Sequence, residues 1–149
     1  MRPLVYEMDL PLPRDRVFRA WVTDQGLASW MCARASVDPV VGGRVALWGD
    51  LMGDDEASQP SIVFRVLSID HPRLLALGCE DAHGITAGVR PEEVESSRVE
   101  VLLFPTLDGT RLRVTHSGFR ETDGSMWVRR RFEGFWWSAL EGIRVALGT

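Results

Sequence analysis

The chain contains no lysine and no asparagine, only four isoleucines and a single tyrosine in 149 residues. All 17 basic residues are therefore arginine. The scarce amino acids are those with AT-rich codons, so the bias points to a GC-rich bacterial genome rather than to an activity. The two cysteines, Cys32 and Cys79, make neither metal-ligand spacing nor a disulfide framework. No apolar run approaches the roughly 20 residues that cross a bilayer. The start of the chain lacks the charged and apolar regions of a secretory signal, and the expected location is cytoplasmic. A formal net charge of −4 removes the electrostatic footprint of a nucleic-acid binder. Nucleophile elbow, phosphate loop, metal motif and dinucleotide fingerprint are all missing. On motif grounds no catalytic residue, metal ligand or cofactor is expected.

What is present is an ordinary globular composition, 45% hydrophobic and 26% charged. The length suits one domain spanning residues 1–149, which at this size buries roughly 70% of the surface of the unfolded chain. The six tryptophans set the problem, since one core must accommodate most of these rings.

Leu4 to Leu10 reads as a strand, stopped by Leu10-Pro11-Leu12-Pro13. Pro13 suits a helix start, and Val17, Phe18 and Trp21 share one helical face. Thr23 or Asp24 can cap a second short helix carrying Leu27, Trp30 and Met31. Strands are then expected at Ala33 to Val37, Arg44 to Trp48, Ile62 to Ile69, Leu74 to Cys79, Ser97 to Phe104 and Thr110 to His116. Asp50 to Pro60 and Glu80 to Ser96 read as loops, the second long enough to suggest function or mobility. Asp123 or Ser125 is expected to cap a last helix, in which Phe132, Trp136, Leu140, Ile143 and Leu147 recur at helical spacing. Strands joined by short turns make this an α+β chain with an antiparallel sheet.

Several short motifs, in order, carry a resemblance. They are Val17-Phe18-Arg19-Ala20-Trp21, Leu27-Ala28-Ser29-Trp30, Gly42-Gly43-Arg44, Thr110-Arg111-Leu112, Thr115-His116-Ser117-Gly118-Phe119 and the spaced residues Trp136, Leu140, Ile143 and Leu147. Together the chain resembles the SRPBCC (START-like) superfamily, and within it the group named after the activator of heat-shock-protein-ninety ATPase. The resemblance runs from about Leu4 to Leu147. It implies a helix-grip fold: a curved antiparallel sheet of about six to seven strands around a long C-terminal helix, with two short helices after the first strand. It also implies a cavity between sheet and helix, and relatives that are ligand carriers, polyketide cyclases or chaperone regulators linked to stress. Fold therefore does not settle function. Two departures stand out. Phe135 occupies the place just before the helix tryptophan where that group usually has glycine. Gly78-Cys79 ends a strand where relatives often carry tryptophan.

Strand alternation assigns the faces. Arg65, Arg98, Arg111 and Arg113 point outward, so Ile62, Phe64, Val66, Val99, Val101, Leu103, Leu112, Val114 and His116 point toward the helix. The strand Arg44 to Trp48 stays ambiguous, with Val45 and Leu47 competing against Ala46 and Trp48. The expected lining of an apolar or aromatic ligand cavity is Trp30, Met31, Trp48, Phe64, Leu77, Val101, Leu103, His116, Trp127, Phe132 and Trp136. Trp21 reads as core. His116 is either an acid–base group inside that cavity or a core histidine satisfied at the strand end, and the second reading carries more weight. Phe135, Trp136 and Trp137 are consecutive on a helix, so at least one must be exposed or meet a partner. Arg129-Arg130-Arg131 reads as a solvated face, and the acidic loops lack the ligand order of a calcium site.

Three functional readings follow. The first is a binding domain for a small hydrophobic molecule. The second is an interaction protein with a chaperone partner, and a homodimer is open in either case. The third is a cyclase- or hydrolase-like enzyme using His116.

Overall fold

A computed structural model of the chain describes residues 1–49 and 59–148. The acidic stretch with Asp50, Asp54, Asp55 and Glu56 lies outside the described residues. Strand β1 (Leu4–Leu10) leads through Pro11 and Pro13 into α1 (Arg14–Val22) and α2 (Asp24–Ala28). Thr23 caps α2, its hydroxyl accepting from the Gly26 amide at 3.0 Å. Then come β2 (Arg34–Val37), β3 (Arg44–Trp48), β4 (Ile62–Asp70) and β5 (Leu74–Asp81). Helices α3 (His83–Thr86) and α4 (Pro91–Glu95) precede β6 (Arg98–Pro105), β7 (Thr110–Ser117) and α5 (Asp123–Leu147).

The strands form a curled antiparallel half-barrel in the order β1-β7-β6-β5-β4-β3-β2. Cross-strand partners share a face, and the register carries one apolar stripe across the sheet. Leu4 pairs with His116, His116 with Val99, Val99 with Leu77, Cys79 with Phe64 and Phe64 with Val45. The arginine-marked outer face is as expected, and Asp9 and Arg111 pair across it at 2.9 Å.

Helix α5 lies in the curl. Its 25 residues reach about 37 Å, and Val128, Phe132, Trp136, Ala139, Leu140 and Ile143 form the buried stripe facing the sheet. Burying each large apolar side chain contributes about 1.5–3 kcal/mol, which is what holds helix to sheet. Among the consecutive aromatics Trp136 is fully buried and Trp137 is 77% exposed.

Two local expectations are corrected and one ambiguity is resolved. The stretch Glu80 to Ser96 is not a loop throughout, since β5 runs to Asp81 and α3 and α4 follow. These helices are too short for an apolar period to show. The cap of α5 is Thr122 rather than Asp123 or Ser125, its hydroxyl accepting from the Ser125 amide at 3.1 Å. On β3 the ambiguity resolves to Val45 and Leu47 inward, because they pair with the inward Phe64 and Ile62.

The β7–α5 connection is pinned at Gly118. Its φ of +85° favours glycine, and a Cβ there would lie 2.5 Å from the Ser96 carbonyl oxygen. That close approach brings the end of α4 against the start of α5.

Candidate functional site

The residues expected to line a cavity are drawn together under α5, with two exceptions. Trp30, Met31, Phe64, Leu77, Val101, Leu103, Phe132 and Trp136 are all buried in one cluster, and the buried His116 packs against its Phe132 and Trp136 rings. Trp48 falls on the opposite sheet face with Ala46, paired to Arg34, whose guanidinium lies 4.1 Å over its ring. Trp127 is 39% exposed on the solvent side of α5.

At the α4 end of the seam the polar groups form a closed chain. The Trp136 indole can only donate, and it donates to His116 Nδ1 at 2.9 Å. His116 must therefore carry its proton on Nε2, which faces Ser97 Oγ at 3.0 Å. Ser97 in turn donates to the Val94 carbonyl at 3.0 Å. Burial holds the imidazole neutral, pushing its pKa down to about 3. Phe119 and Phe132 pack on its faces, with ring centroids 4.7 and 4.5 Å away. Both nitrogens are engaged and the ring does not titrate near neutrality, so this histidine joins β7, α5 and α4. Its partners are two side chains rather than the backbone carbonyl considered from the sequence.

Glu93 makes a second tie. It is almost completely buried, and its carboxylate accepts from Thr122 Oγ1 at 2.6 Å and Ser125 Oγ at 2.7 Å. Those hydroxyls, with Arg120 and Arg90 nearby, hold its pKa below the usual carboxylate range. The buried thiols are inert by comparison. Desolvation pushes Cys32 up to about 11 and Cys79 up to about 12.

At the α1–α2 end the accounting differs. Trp21, Trp30 and Trp136 pack together, Trp21 edge-on to Trp30 with centroids 4.7 Å apart and tilted against Trp136 at 6.3 Å. The Trp30 indole donates to the Ala20 carbonyl at 2.8 Å. The Trp21 indole nitrogen, equally buried, has no acceptor among the described residues. A groove of about 240 Å³ opens between Met31, α3 and α5, walled by Ile85, Phe135 and Ala139, with Arg131, Gly134 and Ser138 on its helix side. None of the three tryptophans lines it; Met31 and Phe135 are the chain neighbours of Trp30 and Trp136. Reading Trp21 as core was correct for its ring. Its unpaired donor had no signature in the sequence, because pairing depends on what folds next to it.

A family model described as activator of Hsp90 ATPase homolog 1-like protein matches residues 11–148. The chain belongs to this family. Its fold is that of the wider SRPBCC group. A structure from Mesorhizobium loti is similar over 97% of this chain and 96% of its own, with TM-score 0.74 and 22% identity. The solution structure of an Aha1 dimer from Colwellia psychrerythraea matches over 100% and 99%, with TM-score 0.68 and 19% identity. A structure described as an Hsp90 activator from Plasmodium falciparum matches over 97% and 95%, with TM-score 0.67 and 19% identity. At these identities the likeness is one of fold. No curated protein is detectably similar in sequence.

Proposed function

We propose that this member of the family binds a small apolar or aromatic molecule carrying one hydrogen-bond acceptor. The molecule enters between Met31 and Phe135 and rests against Trp30 and Trp136. Phe132 and the sheet residues Phe64, Leu77, Val101 and Leu103 back that wall, and His116 stays structural. The observation that carries the reading is the buried Trp21 N–H without an acceptor among the described residues, in a ring cluster whose chain neighbours Met31 and Phe135 line an apolar groove. The molecule reaches that N–H by parting these two side chains. Leaving a buried donor unpaired costs about 1–3 kcal/mol, and a bound acceptor would recover it. Ligand sites share this composition, an apolar wall with few placed polar groups.

The test has two parts. Native mass spectrometry of the purified chain is expected to show a retained small molecule, and 2-naphthol, an aromatic probe with one oxygen, is expected to bind saturably by tryptophan fluorescence. Trp21→Phe keeps an aromatic ring and removes the donor, and should weaken the probe about fivefold, one neutral hydrogen bond being worth about 1 kcal/mol. Absence of both a retained molecule and saturable binding would overturn the reading.

A second reading rests on the family description and on the printed name of the Plasmodium neighbour. In it the chain contacts a heat-shock ATPase, and the cytoplasmic, bacterial and stress-linked setting belongs here. Mixing the purified chain with a ninety-kilodalton heat-shock protein would then raise ATP turnover, and an unchanged rate would count against it.

A further inference from the structure

The solvent face of α5 carries a pattern that the fold of one chain does not use. Trp127, Arg131, Gly134, Ser138, Glu141 and Val145 are all exposed, and their spacing alternates between four and three residues. That alternation averages 3.5 residues and is the seam geometry by which two helices pack side by side. The apolar ends are costly in water, with Val145 73% exposed and the adjoining Trp137 77% exposed. Gly134 sharpens the point. Glycine in a helix interior costs about 1 kcal/mol against alanine, yet a Cβ at Gly134 would meet nothing within 4 Å. Its own chain supplies no packing reason for it.

We propose that this face docks against a second copy of itself, with the two α5 helices antiparallel. The occupant follows from the order of charges. About a two-fold axis at residue 136, Trp127 meets Val145 of the second copy, Arg131 meets Glu141, and Gly134 meets Ser138. Each pair then recurs with the copies exchanged, as an isologous interface requires. Apolar groups lie at both ends, opposite charges inside them, and small residues at the centre where the backbones approach. Arg130 falls opposite Gly142, so these arginines do not oppose like charge. Arg131 is already oriented, its Nε donating to the Ile85 carbonyl at 2.8 Å, which leaves the terminal nitrogens of its guanidinium for the second copy's Glu141. That exposed carboxylate would be shared with Arg144 of the same copy, 3.4 Å away. The seam from Trp127 to Val145 is about 27 Å long, and the two Trp137 rings flank it on opposite sides. Arg131, Gly134 and Ser138 also line the groove beside Met31, so docking of the second copy would cover one side of that groove, while the dimer itself requires no ligand in it.

Charge exchange tests it on the full chain. By sedimentation equilibrium over a range of concentrations, the natural chain should dimerise, and Arg131→Glu and Glu141→Arg should each weaken the dimer about tenfold, since each sets like charges opposite one another twice. An equimolar mixture of the two variants should dimerise again, because both cross pairs become opposite in charge. A folding defect in either variant would not be repaired by mixing. A natural chain that stays monomeric, a dimer indifferent to both substitutions, or a mixture that stays apart would each overturn the proposal.

Discussion

The two ends of the seam beneath α5 contain similar rings and opposite hydrogen-bond accounts. Around His116 every donor and acceptor is matched, from the Trp136 indole through the imidazole and Ser97 to the Val94 carbonyl. Around Trp21 the rings pack as closely, but one buried donor has no acceptor among the described residues. A buried network is rigid and specifying when fully satisfied and costly when one member is left out. The difference separates structure from function better than residue type does. The histidine was the sharpest chemical candidate in the sequence, yet the core reading already carried more weight, and its bonds fit that reading. The tryptophan assigned to the core holds an unpaired N–H, as does Trp48 on the opposite sheet face.

The comparison breaks most visibly at Trp136, which belongs to both ends. Trp136→Ala removes a fully buried ring and leaves His116 Nδ1 without its donor, and is expected to destabilise by about 3–5 kcal/mol. In a chain of this size that lowers the thermal midpoint by about 10 °C, measurable by circular dichroism. A loss below about 1 kcal/mol would mean that the seam repacks freely.

Acid comes next. With its pKa lowered to about 3 by burial, His116 binds a proton more readily when the chain unfolds, where its value is near 6.5. Between those values the unfolded state holds more protons. Stability from this group is therefore full above about pH 6.5 and falls as the pH drops, by up to about 1.4 kcal/mol per pH unit. Urea unfolding at several pH values should show this slope, and His116→Gln should flatten it even though the variant starts less stable. An unchanged slope would mean that other groups carry the acid sensitivity.

The smallest effect is expected at the second tie. Glu93→Gln keeps the shape of the side chain but removes the charge that Thr122 and Ser125 hydrogen-bond. Its carboxyl is held below its ordinary range, so its stabilisation is present near neutrality and lost as the pH falls through the folded value. Hydrogen exchange across α4 should quicken in the variant while α1 and α2 stay as they were. Equal quickening at both ends would show that they are not separate regions.

The sheet was legible because most of its strands alternate, β3 and the bulged β4 being the exceptions. Arginines at Arg65, Arg98, Arg111 and Arg113 marked the outer face, and the inner partners follow from a period of two. Helix α5 was legible from Phe132 onward by its apolar period, but its first turns carry Met126, Trp127 and three arginines, so its start and cap were not. The segment around α3 and α4 was opaque for a different reason. Its helices are four and five residues long, and the buried Glu93 that anchors them has the composition of a surface residue. Trp48 needed cross-strand register, which a single strand does not contain. The partners of His116 lie 19 and 20 residues away on other elements, so the sequence could name the candidate and not its bonds.

The central claim, that the Trp21 end is the receptive one, is tested most directly by nuclear magnetic resonance of the six indole N–H groups during titration with 2-naphthol. The Trp21 signal is expected to move downfield and to gain protection from exchange as its hydrogen bond forms, while the Trp136 signal, already bonded to His116, shifts far less. A Trp21 signal that stays in place while the probe saturates the protein would contradict the account.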